Sequence, residues 1–298
     1  MHILVVGGGM GGTILANNLA RRLSGELEQG SSKITMLSAT DKHMYQPGLL
    51  YVAVGKMSTT ELYRDQKSLL EPSIDFHVDP VEKFDMDNNS VTTKSGKKIS
   101  YDILCIATGS RGNAAGIPGL AENACQFYTE ADALAMYKKL QKFEGGKVVV
   151  ATGVPHKCPM SPLEITFFLV DYFKKRGIWD KVDLHYTYPI GRVHSLEPVA
   201  NWAAPEFDKL GITYETLFNM KEVVPGKVIS EEDSSAEFDL LVTVPPHKGQ
   251  QVIEDNELGA GGFIPTDKKK LNMEGRENVF VLGDTTNLPI SKAGSTAH

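Results

Sequence analysis

Six consecutive residues near the amino terminus, Gly7-Gly8-Gly9-Met10-Gly11-Gly12, constrain this chain more than anything else in it. They follow a short apolar run, His2-Ile3-Leu4-Val5-Val6, of the kind expected for a strand buried on both faces. After them Ile14, Leu15, Leu19 and Leu23 recur at helical spacing. Residues 25–32 read as a loop and 33–37 as a second buried strand. Gly7, Gly9 and Gly12 thus satisfy G-x-G-x-x-G between a strand and a helix. The first glycine permits the tight turn, the second lets backbone approach a pyrophosphate, and the third lets helix pack on strand. N–H groups at the helix start, reinforced by the helix dipole, then hold the phosphates. The expected ligand is a dinucleotide.

An acidic residue after the second strand usually bonds a ribose hydroxyl in such units. Here Ser38 stands at that place, followed by Ala39, and Asp41 serves equally well as a substitute or a turn former. Residues 74–78, 91–93 and 98–100 are short alternating segments separated by Asn and Gly turns, which suggests a small antiparallel excursion. Further strands are expected at 103–107, 147–151, 182–186, 238–244 and 279–284, with helices near 130–143, 161–175 and 204–210. This is an α/β chain of two units, the second inserted into the first. Residues 1–110 and 246–298 form one domain and 111–245 the other.

Composition narrows the function classes. Lys+Arg 31 against Asp+Glu 37 gives a net charge of −6. No basic stripe offsets it, so nucleic acid is not an expected partner. No run reaches the roughly 18 apolar residues of a membrane-spanning helix. The start lacks the charged region and cleavage site of a signal peptide. Cys105, Cys125 and Cys158 are too few for a disulfide scaffold, which points to a cytoplasmic protein with reduced thiols. Cys105, between Leu104 and Ile106, reads as core. The histidines are dispersed and no Cys-x-x-Cys occurs, so no metal site is expected.

Two more strand ends point toward the same ligand. Residues 101–109 end in Ala107-Thr108-Gly109, and residues 279–284 end in Gly283-Asp284. Ligands of open α/β sheets sit outside the carboxyl ends of strands. Together with Gly7–Gly12 these features resemble the FAD-dependent pyridine nucleotide-disulfide oxidoreductase superfamily. The resemblance implies two Rossmann-like domains of the three-layer ββα FAD/NAD(P)-binding type, with FAD in the first. It implies Asp284 as acceptor for a ribityl hydroxyl, and Ser38, Ala39, Val81, Ala107, Thr108, Gly109 and Gly283 as further cofactor contacts.

The second unit departs from the nicotinamide-binding pattern. After its first strand it carries Thr152-Gly153-Val154-Pro155-His156-Lys157-Cys158-Pro159-Met160-Ser161-Pro162-Leu163-Glu164. Proline has no N–H to donate, and one glycine remains, so no phosphate cradle is available. The Lys-Cys-Pro-x-x-Pro-x-Glu stretch is similar to that of sulfide:quinone oxidoreductases and flavocytochrome c sulfide dehydrogenases. Residues 44–55, Pro245-Pro246-His247-Lys248 and 289–294 fit the same group. The resemblance makes Cys158 a redox cysteine beside the flavin, and places its partner cysteine beyond residue 298. It places Cys125 near a further cysteine of many members, as a sulfur relay or a half-buried thiol.

Lys157, His156 and the nearby helix start favour the Cys158 thiolate. Glu164 reads equally as general base for H2S or as the acidic residue that suits a helix N-terminus. Lys292, with Gly294, either stabilises reduced flavin or is a solvated lysine; His247 reads as a proton acceptor or, preferably, a loop residue without a task. Residues 291–298 look like the first turn of a helix whose remainder is missing, with the family's quinone- and membrane-binding region. The resulting expectation is an FAD-dependent sulfide oxidoreductase, with quinone as acceptor and peripheral membrane attachment when full length. A homo-oligomer is compatible with the sequence. The alternatives are a type II NADH:quinone oxidoreductase-like enzyme and a non-catalytic FAD-binding protein.

Overall fold

The structure, a computed structural model, describes residues 1–289. The chain divides into two compact units. The first comprises Met1–Met44, Tyr63–Arg111 and the segment from Lys248 onward; the second comprises Tyr45–Leu62 and Gly112–His247.

A parallel sheet organises the first unit. Its strand order is Ile74–Val78, Lys33–Ser38, His2–Val6, Ile103–Ile106, Val279–Val281. The alternation of side chains across a strand sorts the apolar run at the amino terminus into two cores. Leu4 and Val6 join Leu104, Ile106 and Val281 on one face, whereas Ile3 and Val5 join Ile34, Met36 and Cys105 on the other. Ala16 and Ala20 of the helix Met10–Arg22 belong to the second of these cores. Because both faces are covered, the strand has no polar alternation.

Ile74–Val78 differs from the sequence expectation. It is an edge strand of the parallel sheet, and Asp75 and His77 are only half-buried. A strand covered on one face alternates as an antiparallel strand does, which is why the pattern misleads. The antiparallel excursion is instead Val81–Asp85, Ser90–Thr93 and Lys98–Ser100. It packs Val81, Phe84, Val91 and Ile99 into the same core as Leu4 and Val6.

The second unit repeats the plan with the order Ala124–Cys125, Leu240–Val244, Gly146–Thr152, Val182–Tyr188, Thr213–Thr216, all parallel. A separate antiparallel meander runs through Met220–Val224, Lys227–Ser230 and Ser235–Glu237. Aromatic packing joins the helices Ser161–Lys175 and Glu197–Leu210 to the sheet. The Phe207 ring lies 5.6 Å from Phe167 and 5.1 Å from Tyr186. The helix Glu197–Leu210 is twice the expected length. Pro198 occupies its first turn, where no N–H is needed, and Pro205 lies within it. Gly211, at φ 72°, ends it in the left-handed conformation.

Residues 45–62, read from sequence as part of the first domain, group with the second unit. The helix Gly48–Ala53 sets Tyr51 against Phe168 at 5.0 Å, and the Lys56 ammonium meets Asp171 at 2.7 Å.

Truncating Phe207, 0% exposed and ringed by aromatics, should cost roughly 3–5 kcal/mol. Trp202→Ala, at a residue 57% exposed, should cost less than about 1 kcal/mol. Urea denaturation of the two variants checks the ranking, and equal losses would contradict this packing.

Candidate functional site

In the first unit the strand order reverses between His2–Val6 and Ile103–Ile106, and ligands of such sheets bind outside the strand ends at that point. Gly7 leaves the first of these strands with φ 120°, while its N–H donates to the Leu37 carbonyl at 2.9 Å. A Cβ on Gly7 would overlap the Ala107 carbonyl, and one on Gly12 would overlap the Gly7 carbonyl oxygen. These two glycines allow strand and helix to touch backbone to backbone. Gly9 serves differently, because a Cβ there meets nothing within 4 Å. The helix Met10–Arg22 starts at this open place without a capping side chain and without an acidic residue in its first turn. Its unpaired N–H groups and positive dipole end are therefore available to an anion.

The neighbouring strand ends are stitched to one another. Leu282 N–H donates to the Ile106 carbonyl at 2.9 Å. The hydroxyls of Thr108 and Thr285 are 2.6 Å apart, and Thr285 donates to the Gly109 carbonyl at 3.2 Å. Ser110 donates to the Asp284 carboxylate at 3.1 Å. Gly7, Ala107, Thr108, Gly109, Gly283 and Asp284 are thus brought together at one end of the sheet.

Other sequence-selected residues lie around this end. Ser38 is buried, and its hydroxyl accepts from the Thr40 N–H at 3.3 Å. Ala39 and Asp41 are exposed. Val81 opens the antiparallel excursion with its side chain in the core. Lys292 and Gly294 lie outside the described residues.

A polar knot beneath the glycine turn escaped the sequence reading. Gln66 is 0% exposed, and its amide donates to the Thr13 hydroxyl at 2.9 Å. Thr13 in turn donates to the Gly8 carbonyl at 3.2 Å. His43 Nδ1 stands 3.1 Å from the same carbonyl and 3.0 Å from Gln66 Oε1. These bonds hold the Gly8 peptide from below, and no local pattern around Gln66 announces them.

In the second unit the corresponding reversal falls between Gly146–Thr152 and Leu240–Val244. Gly153 abuts the Pro246 ring, and its N–H is spent on the Val244 carbonyl at 2.8 Å. Pro155 and Pro159 in the loop and Pro162 in the first turn of Ser161–Lys175 each lack an N–H to offer. Cys158 is a half-buried free thiol in this loop. Its carbonyl accepts from the Ser161 hydroxyl at 3.0 Å, and that hydroxyl pairs with the Tyr128 hydroxyl at 2.6 Å. Lys157 Nζ donates to Gln46 at 2.7 Å and lies 5.6 Å from the Tyr128 ring centroid.

Neutral imidazoles surround the loop. His156 meets the Gly153 carbonyl through Nδ1 at 3.1 Å and the Tyr188 hydroxyl through Nε2 at 3.3 Å. Burial lowers its pKa and that of His194, and pushes His247 down to about 3. Glu164 sits on the first turn of Ser161–Lys175. Its side chain reaches solvent, yet the protein around it raises the carboxyl above its usual range.

Cys125 does not share this setting. It is buried in the strand beside Leu240–Val244, and burial pushes its thiol up although Lys139 opposes the shift. The placement suits packing better than a sulfur relay. Cys105 is core, pushed up to about 12 by burial. Among the described residues no group of three His, Cys, Asp or Glu side chains could hold a metal ion.

Residues 1–150 match the family described as pyridine nucleotide-disulphide oxidoreductase. The chain is 30% identical over 316 residues to the mitochondrial sulfide:quinone oxidoreductase of Dictyostelium discoideum, covering 98% of this chain and 67% of that protein. It belongs to the pyridine nucleotide-disulphide oxidoreductase family. The mitochondrial sulfide:quinone oxidoreductase of Mus musculus is 27% identical over 309 residues, covering 99% and 67%. The X-ray structure of the sulfide:quinone oxidoreductase from the hyperthermophilic bacterium Aquifex aeolicus matches with a TM-score of 0.84 at 25% identity. That match covers 97% of this chain and 69% of the other.

FAD is the cofactor of this oxidoreductase family, and the first unit fits it. The space above Gly9 and the uncapped helix start suit the pyrophosphate. Gly109, at φ 78° with nothing within 4 Å of a notional Cβ, leaves room beside Asp284, whose carboxylate would accept from a ribityl hydroxyl.

Two outcomes follow from this geometry. Gly12→Ala forces backbone apart at Gly7, so the purified variant should retain about tenfold less FAD, a cost of about 1.4 kcal/mol. A flavin-to-protein absorbance ratio equal to that of the parent would contradict the turn. The buried imidazoles make the second. An imidazole whose folded-state pKa is depressed binds its proton more readily when unfolded. Stability therefore falls as pH drops below the ordinary value of 6.5, and His247 continues to contribute down to about 3. Urea midpoints at about pH 7.5 and about pH 5 should show that loss, reduced in His247→Asn.

Proposed function

We propose that this oxidoreductase passes electrons from sulfide to a quinone by way of FAD, with Cys158 as the sulfur-handling residue. The observation that carries the reading is the loop at the reversal point of the second unit. A dinucleotide site there needs outward N–H donors, and the loop offers prolines and a half-buried free thiol instead. The NADH:quinone alternative has no comparable support in this loop. The names of the two curated relatives and of the Aquifex aeolicus structure agree with a sulfide substrate and a quinone acceptor.

Oxidising hydrosulfide to zero-valent sulfur releases two electrons and one proton. Bound FAD supplies the two-electron acceptor. The chain's own residues bind and orient the sulfur. Cys158 carries it, and the loop that presents Cys158 is pinned through its carbonyl to Ser161 and Tyr128. In this reading Glu164, on the first turn of the helix that follows and with a carboxyl of raised proton affinity, takes the proton. A peripheral membrane contact would bring quinone within reach. Among the described residues no helix is long and apolar enough to cross a membrane.

Anaerobic addition of sulfide to the flavin-loaded protein should bleach the flavin absorbance. Cys158→Ser should keep its FAD and slow that bleaching on the order of a hundredfold. A serine variant reduced at the parent rate would remove Cys158 from the chemistry, and a parent protein that sulfide leaves yellow would remove sulfide.

A further inference from the structure

His247 follows the strand Leu240–Val244 and is 2% exposed. Its backbone N–H donates to the Pro155 carbonyl at 2.6 Å, which ties it to the Cys158 loop. Nδ1 donates to the Pro245 carbonyl at 2.9 Å. That bond keeps the proton on Nδ1 and leaves Nε2 as a lone-pair acceptor, buried and without a hydrogen-bond partner among the described residues. A buried acceptor in this state has lost water without gaining a partner, and a donor from outside the chain would make good that loss.

The other two imidazoles are arranged differently. His156 Nε2 has the Tyr188 hydroxyl at 3.3 Å. His194 accepts through Nδ1 from the Leu196 N–H at 3.0 Å, so its proton is on Nε2, which is a buried donor without a hydrogen-bond partner among the described residues rather than a lone pair. Only His247 of the three presents a lone pair with no donor. Its neighbours lead to Cys158. The Tyr128 ring meets the imidazole edge-on at 4.5 Å, and its hydroxyl pairs with Ser161, which donates to the Cys158 carbonyl. Lys157, next to Cys158, lies 5.6 Å from the same ring. His247 and Cys158 therefore stand beyond the two strands between which the order of this sheet reverses.

We infer that His247 Nε2 accepts a hydrogen bond from the S–H group of the sulfur compound that reacts at Cys158, which makes His247 a substrate-binding residue. The inference rests on the sulfide reading above. An oxidised quinone presents only acceptors and cannot satisfy this atom, whereas hydrogen sulfide, hydrosulfide and a persulfide each carry an S–H. Burial, aided by the Lys157 charge, keeps the ring neutral, so the lone pair stays available at working pH.

The test is anaerobic rapid mixing of the flavin-loaded protein with sodium sulfide, following the concentration that gives half the limiting rate of bleaching. His247→Asn keeps a donor for the Pro245 carbonyl and removes Nε2. It should raise the half-saturating sulfide concentration on the order of tenfold, the effect of one lost hydrogen bond, while the limiting rate and flavin spectrum hold. His247→Gln, whose longer amide returns an acceptor, should recover most of the loss. If the asparagine variant sheds its flavin, His247→Phe, which keeps the packing against Tyr128, reads the same quantity. An unchanged half-saturating concentration, as expected if ordered water alone meets Nε2, overturns the inference and leaves the sulfide reading intact. So does a fall confined to the limiting rate. A parent protein that sulfide does not reduce overturns both.

Discussion

Backbone contact between Gly12, Gly7 and Ala107 is the constraint on which the first unit depends. No side chain fits between them, so the helix Met10–Arg22 starts hard against the sheet and its unpaired N–H groups are aimed past Gly9 into open space. The hydroxyl ladder from Thr108 to Thr285 and Gly109 then sets Asp284 at the same end of the sheet. These contacts are made by main chain and short hydroxyls, which have few rotamers to lose when a ligand binds.

Each unit has a point where parallel strands change direction of build, and the two points carry different chemistry. At the first, glycines free N–H groups for phosphate. At the second, prolines withhold them, Gly153 spends its own on Val244, and a thiol is presented on a loop held by Ser161, Tyr128 and neutral imidazoles. One architecture therefore ends in two different loops, a glycine turn and a proline-rich loop with a thiol, and the difference lies in a few loop residues rather than in the sheets. This agrees with the general separation of fold from function.

Much of the plan was legible because its signals are local. The run His2–Val6, the glycine spacing and the prolines around Cys158 each state their structure within a few residues. What stayed hidden was set by distant partners. Ile74–Val78 alternates because it is an edge strand, which a pattern cannot separate from an antiparallel one. Pro205 masks the helix Glu197–Leu210, and residues 45–62 join the second unit through contacts such as Tyr51 with Phe168. Gln66 and His43 support the glycine turn from far along the chain, and His247 looks like an idle loop residue until its burial is seen.

The first reversal point has a glycine cradle for a dinucleotide, and the second has a proline-rich loop in its place. Calorimetric titration of the flavin-loaded protein with NADH, with the FAD content of the same sample measured after extraction, tests this most directly. A single FAD per chain and no saturable heat from NADH is the expected result. Saturable NADH binding to protein already filled with FAD would contradict it.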